Sequence, residues 1–161
     1  MPPPKRQVDA GKLWTGGLAT ALVAALVAIV GVVIARGIFN VALLAPEGKG
    51  TWGDVSTAQY AVGSVVAALL ATALLHLLLL ATPQPLTFFG WIVGLLTLVL
   101  ALAPFATGAE LASKVASGLI NLAIGIAIGS LLAGAARRSI RWVPPQQPRP
   151  TYGQDPRDGR Y

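Results

Sequence analysis

Between Asp54 and Glu110 the chain runs for 55 residues without a formal charge, counting His76 as neutral. Two long apolar runs lie inside that stretch and two more flank it. A soluble domain carries about 25% charged residues, whereas this chain carries 11% and is 55% hydrophobic. With 161 residues it has too little interior to hide so much uncharged apolar sequence from water. The expected solvent is lipid.

The four runs are Leu13–Ala35, Tyr60–Ala81, Leu86–Phe105 and Val115–Ala136, and none contains Asp, Glu, Lys or Arg. Each is long enough to cross about 30 Å of hydrocarbon at about 1.5 Å per residue. Hydrocarbon offers the backbone no hydrogen-bond partner, so each run must satisfy itself as a helix. Membrane-spanning strands would be shorter and would alternate polar with apolar residues. The expected fold class is therefore all-α: an integral membrane bundle of four transmembrane helices, up-down-up-down. It is framed by a disordered tail over 1–12 and a basic, proline-rich tail over 137–161. The first run exceeds the 7–15 residues of a signal-peptide core and reads as a retained anchor.

Nine of the twelve basic residues fall in the two tails. Four spans place both tails on one side, and basic residues near span ends stay inside. Both termini are accordingly expected in the cytoplasm, and the location is a plasma membrane crossed several times. Arg137, Arg138 and Arg141 are candidate contacts for anionic lipid headgroups. The net charge of +6 then reflects topology, and nucleic acid is not an expected partner.

Turn signals agree with these limits. Thr82-Pro83-Gln84-Pro85 forces the second and third helices into a hairpin, because proline cannot continue a helix. Ser56-Thr57-Ala58-Gln59 and Thr107-Gly108-Ala109-Glu110 each fit a capping box, which starts the second helix at 57 and the fourth near 107. Glu110 and Lys114 then stand one turn apart as an ion pair. Pro145–Pro148 matches PxxP and reads chiefly as a solvated tail.

Helix packing is the best-signalled property. Ser117, Asn121, Gly125, Gly129 and Ala133 recur every four residues along the fourth helix, and Gly90 and Gly94 repeat the spacing on the third. Small residues let helix backbones approach where hydrophobic drive between helices is weak. This ridge is expected to pack the bundle internally or to meet another membrane protein or a second copy. Gly17, Ala21 and Ala25, and Gly63, Ala67 and Ala71, offer weaker versions on the first two helices. The notable intramembrane polar residues are His76 and Asn121, each expected to hydrogen-bond across helices. Arg36 closes the first run as an anchor whose charged tip reaches toward the interface.

No catalytic, cofactor-binding or metal-binding residues are expected. The chain has no cysteine and one histidine, no acid inside any run, and no Walker loop, HExxH or GxSxG motif. It is expected not to be an enzyme.

The stretches LWTGGLATALVAALVAIVGVVIARGIF, LLHLLLLATPQPLTFFGWIVGL and TGAELASKVASGLINLAIGIAIGSLL resemble a family of small actinobacterial four-span membrane proteins of unknown function. The resemblance covers about residues 13–136. It implies the fold and a membrane location, and no assigned activity. The leading expectation is a non-catalytic accessory, assembly or scaffold component of the cell envelope. The alternative is a small transporter or channel subunit working as an oligomer, with Asn121, His76 and Arg36 along a hydrated path.

Overall fold

The computed structural model describes residues 5–38, 44–46, 52–54 and 57–143. Four helices dominate: α1 (Ala10–Val33), α2 (Thr57–Ala81), α3 (Pro85–Leu102) and α4 (Leu111–Ser139). A π-helical turn, Ile34–Ile38, continues α1, and a 3-10 turn, Ala103–Ala106, continues α3. All four are long and apolar enough to cross a membrane. The PxxP segment, the capping residue Ser56 and the turn formers Asn40, Gly48 and Gly50 lie outside the described residues.

The helices exceed the charge-free runs because polar caps can extend a helix into water. Asp9 caps α1, its Oδ1 accepting from the Lys12 backbone N–H at 3.1 Å. At about 1.5 Å per residue, the 29 residues of α4 span more than the about 30 Å of a hydrocarbon core. The surplus is polar and carries Arg137 and Arg138 at its end. Pro85 occupies the first turn of α3, where its missing N–H costs nothing.

Neighbouring helices run antiparallel. On α1 and α2, Gly17 meets Thr72 and Trp14 meets His76. On α1 and α4, Gly16 meets Ala135 and Gly31 meets Ile120. On α3 and α4, Val93 meets Gly129, Thr97 meets Gly125 and Ala101 meets Gly118. In each pair one number rises as the other falls. α1 packs most extensively on α2 and α4, α3 packs mainly on α4, and α2 touches α4 across the diagonal.

The architecture is all-helical as expected, and two antiparallel ribbons of three or four residues per strand accompany the four helices. β1 (Lys5–Val8) pairs with β4 (Ile140–Val143), and β2 (Leu44–Pro46) pairs with β3 (Trp52–Asp54). The first ribbon joins residues from the two terminal segments, 1–12 and 137–161. The start of α1 and the end of α4 emerge side by side, so the flanking segments can pair. The Asp9 N–H donates to the Ser139 carbonyl at 3.0 Å, and Val8 and Ile140 pack on the core. The alternation of the strands buries this pair.

The core combines small and β-branched residues with the larger side chains of Leu13, Leu75, Leu132 and Phe89. α1 buries Gly17, Ala21, Ala24, Ala28 and Val32, and α2 buries Ser64, Ala68, Thr72 and Leu75. The buried stripe of α2 thus lies one residue beyond Gly63, Ala67 and Ala71. Gly63 faces open space. α4 turns Ile120, Ile124, Ile128 and Leu132 inward. Buried hydroxyls bond back to their own helices, Thr20 to Gly16 O at 2.8 Å and Thr72 to Ala68 O at 2.7 Å.

The start of α4 differs from the second capping box. Glu110 is the capping position, with no side-chain bond, while Thr107 donates its hydroxyl to Pro104 O at 2.7 Å. Pro104 favours a 3-10 turn there, and that turn captures the threonine. The Glu110 and Lys114 side chains do not form the expected ion pair, although Lys114 N–H donates to Glu110 O at 3.1 Å.

Glycine contacts make this packing testable. A methyl group on Gly118 would fall 2.7 Å from the Ala101 carbonyl oxygen, a backbone atom that cannot turn aside. Gly118→Ala should destabilise the bundle by about 1–3 kcal/mol, read by thermal unfolding in mild detergent. Gly94→Ala meets nothing within 4 Å and should leave the melting temperature unchanged or raised. Equal losses at both positions would refute the packing.

Candidate functional site

The polar groups between helices concentrate near the two ends of the bundle. At the end holding the starts of α2 and α4, Asn121 joins three helices. Its Nδ2 donates to the Leu100 carbonyl at 2.9 Å, and its Oδ1 accepts from the Tyr60 hydroxyl at 3.1 Å. A carbonyl can only accept, so the orientation of the amide is fixed. Ser117, one turn earlier on α4 and fully buried, also hydrogen-bonds Tyr60.

The Leu100 carbonyl is available for a specific reason. In an α-helix it would accept from the N–H of residue 104. That residue is Pro104, which has none. Asn121 therefore supplies the donor that the proline withholds, at a depth where an unmade bond is costly.

At the opposite end the Trp14 indole N–H donates to His76 Nδ1 at 3.1 Å, with the rings tilted by 55° at 6.4 Å. Indole nitrogen is a donor only, so Nδ1 must be unprotonated and a neutral His76 carries its proton on Nε2. His76 is half-buried at the edge of the α1–α2 seam. It and Asn121 share no described contact.

The small-residue ridge divides by helix. Gly125 packs against Thr97, and a methyl on Gly129 would lie 3.3 Å from Val93 Cγ1, so both lie against α3. Ala133 is half-buried. Gly90 and Gly94 are placed differently: nothing lies within 4 Å of a side chain added at either. Trp91, 69% exposed, stands beside them, and Leu95, Leu98 and Leu102 are also exposed. The face of α3 that carries Gly90 and Gly94 is thus not the face that packs on α4.

Arg36 is half-buried in the π-helical turn. Arg137 and Arg138 are exposed in the last turn of α4, where cations suit the negative end of the helix dipole. Arg141 lies on β4, in register with Gln7. An apolar groove of about 640 Å³ runs between α1 and α4, walled by Val27, Gly31, Ala35, Ala112, Ala116 and Ala123 among others. His76, Asn121 and Arg36 do not line it. Among the described residues no group of three or more His, Cys, Asp or Glu could hold a metal.

The model of one protein family matches residues 8–138, which is most of the chain. The chain belongs to DUF6069, a family of unknown function. No curated protein and no solved structure matches it significantly. The DUF6069 match takes in all four helices, together with Val8 of β1, and ends at Arg138 of α4.

Tyr60, Trp14 and the Leu100 carbonyl are the members of these clusters in this DUF6069 chain that sequence reasoning did not assign. Tyr60 and Trp14 stand near the ends of charge-free runs, and nothing in the sequence names their partners. Pro104 was a usable signal for the third, because a proline in a long apolar helix leaves an acceptor four residues earlier.

Two predictions follow from this chemistry. Asn121→Ala should cost about 1–3 kcal/mol by leaving Leu100 O and Tyr60 without their partner. In a Pro104→Ala background, which restores an N–H for Leu100 O, the same change should cost measurably less. A double-mutant cycle by thermal unfolding in detergent reads the difference, and strict additivity would contradict the arrangement. Nitrogen NMR of labelled His76 at neutral pH should report the Nε2–H tautomer; a dominant Nδ1–H form would rule out the Trp14 bond.

Proposed function

We propose that this chain is a non-catalytic, multi-pass protein of an actinobacterial plasma membrane, both termini cytoplasmic. It serves as an accessory, assembly or scaffold component of the cell envelope. Its partners are membrane lipids and, through α3, another membrane protein or a second copy of itself.

The observation that carries this reading is the division of labour among its small and polar residues. Asn121, Tyr60 and Ser117 tie α2, α3 and α4 together, and His76 ties α2 to α1. These groups serve cohesion. Gly90 and Gly94, by contrast, lie on an exposed face, where an added side chain would meet no described residue within 4 Å. A glycine pair spaced by four on an open helix face permits close approach of another helix.

The transporter reading needs Asn121, His76 and Arg36 along one path. Asn121 and His76 stand near opposite ends, and Gly125 between them is packed on Thr97. These placements weigh toward the scaffold.

The chain lacks cysteine, so single cysteines can be placed freely. Cysteines at positions 121 and 125 should resist an aqueous thiol reagent in intact membranes, whereas ready labelling from outside would favour a path. Gly90→Leu and Gly94→Leu should retain the wild-type melting temperature yet lose a stoichiometric partner, or a dimer, recovered in mild detergent. Recovery of a monomer alone from the wild type under several conditions would refute the scaffold reading.

A further inference from the structure

The sequence places nine of its twelve basic residues in two terminal segments, and strand pairing joins those segments. β1 carries Lys5 and Arg6, and β4 carries Arg141, with Lys5 opposite Val143, Arg6 opposite Trp142 and Gln7 opposite Arg141. Arg137 and Arg138 stand exposed one turn before β4, and Lys12 lies one turn after β1. Six basic residues therefore gather at one end of the bundle. Asp9 is the one acid there among the described residues, and it stands 4.0 Å from Lys12. Five cations remain: Lys5, Arg6, Arg137, Arg138 and Arg141. At the other end Arg36 and Lys114 are balanced among the described residues by Asp54 and Glu110.

Strands in a ribbon lie about 4.8 Å apart, well inside the screening length of about 8 Å at physiological salt. Closing the ribbon therefore brings the basic segment 5–6 beside the basic segment 137–141, at a cost in like-charge repulsion. An isolated two-stranded ribbon is marginal in water even without that penalty. Val8 and Ile140 anchor its inner end on the core, but its outer end holds like charges. Closure calls for a counter-surface of negative charge.

We infer that the β1–β4 ribbon is a composite anionic-lipid site. The phosphates of acidic phospholipids in the adjoining leaflet bind both basic tails at once, and by doing so hold the ribbon shut. This rests on the membrane-spanning reading proposed above. Lipid is the partner the placement favours: Lys12 and Arg137 lie in the terminal turns of helices long enough to span, which is headgroup depth. Neither tail alone offers the whole patch. By linkage, whatever closes the ribbon raises lipid affinity, and acidic lipid raises the closed fraction equally.

The test uses the full chain with Val8→Cys and Ile140→Cys, a pair that leaves every charge in place. Directly opposed strand residues are 4.5–5.5 Å apart at Cα, within disulfide range. The chain is reconstituted into phosphatidylcholine vesicles with or without one third phosphatidylglycerol. Resistance to carbonate extraction is checked first; a chain that washes off refutes the membrane reading, not this one. Disulfide formation should be about tenfold faster with phosphatidylglycerol, and the gain should fade in high salt. Arg137→Gln with Arg138→Gln should remove most of it. Hydrogen exchange of the strand amides in the cysteine-free chain should show the same lipid dependence. Equal rates and equal exchange in both vesicles would overturn the inference. So would a gain untouched by the two glutamines, or closure by soluble polyglutamate but not by acidic vesicles.

Discussion

The bundle depends on the close approach of backbones at glycine. Helices that are apolar on every side gain little from hiding side chains from one another in lipid, because the tails outside are as apolar as the core. What remains is dispersion, which falls off steeply with separation and rewards contact. Gly125 against Thr97, Gly118 against the Ala101 carbonyl and Gly17 against Thr72 are the points where a missing side chain admits a neighbour. α4 carries two adjacent stripes for two purposes. Its glycines bring α3 close, and its isoleucines at 120, 124 and 128 fill the wider space toward the core and α1. α4 accordingly packs broadly on both α1 and α3 and also touches α2.

Close approach leaves the backbone little slack, so each departure from regular helix needs a local answer. Pro104 removes one N–H, and Asn121 from the neighbouring helix replaces it. The same residue then holds the Tyr60 hydroxyl, so a defect in α3 becomes a three-helix joint. The buried hydroxyls of Ser64, Thr72 and Ser139 bond within their own helices, while Ser117 reaches across to Tyr60. The interhelical side-chain bonds described here lie toward the two ends of the bundle.

Much of this architecture was legible in the residues. The four runs became four helices because length and the absence of charge decide that question alone. The α2–α3 turn at Pro83–Pro85 and the start of α2 at Thr57 followed from local chemistry. The facing of the helices did not. A soluble helix announces its buried side by a polar stripe opposite, but α2 and α3 have no such stripe, so the phase of their contacts is unmarked. The ridge on α2 was displaced by one residue, from Ala67 to Ala68. Gly90 and Gly94 have the same spacing as Gly125 and Gly129 yet lie on an open face. Spacing says that a close contact is possible; only the neighbour says whether it is made. The terminal strands were invisible for a related reason. Four charged or polar-flanked residues make no strand alone, and β1 exists because α4 delivers β4 beside it.

That pairing bears on which surface remains for others. The α1–α4 seam runs from Gly31 and Ile120, where the apolar groove opens, past Gly16 and Ala135, to Val8 and Ile140 in the ribbon. α1 is thus held by α2 on one flank, by α4 on the other and by the ribbon at its start. α3 has no such enclosure: it rests mainly on α4 and touches α2 lightly, and it is the least buried of the four. A chain that wanted only to close on itself would gain from bulk at positions 90 and 94, where there is room for it. Glycine there keeps a shallow surface on the one helix the bundle leaves open, next to an exposed Trp91 that can lie against a visitor. α3 is therefore the helix of the described bundle with the largest share of its surface left free of internal contacts.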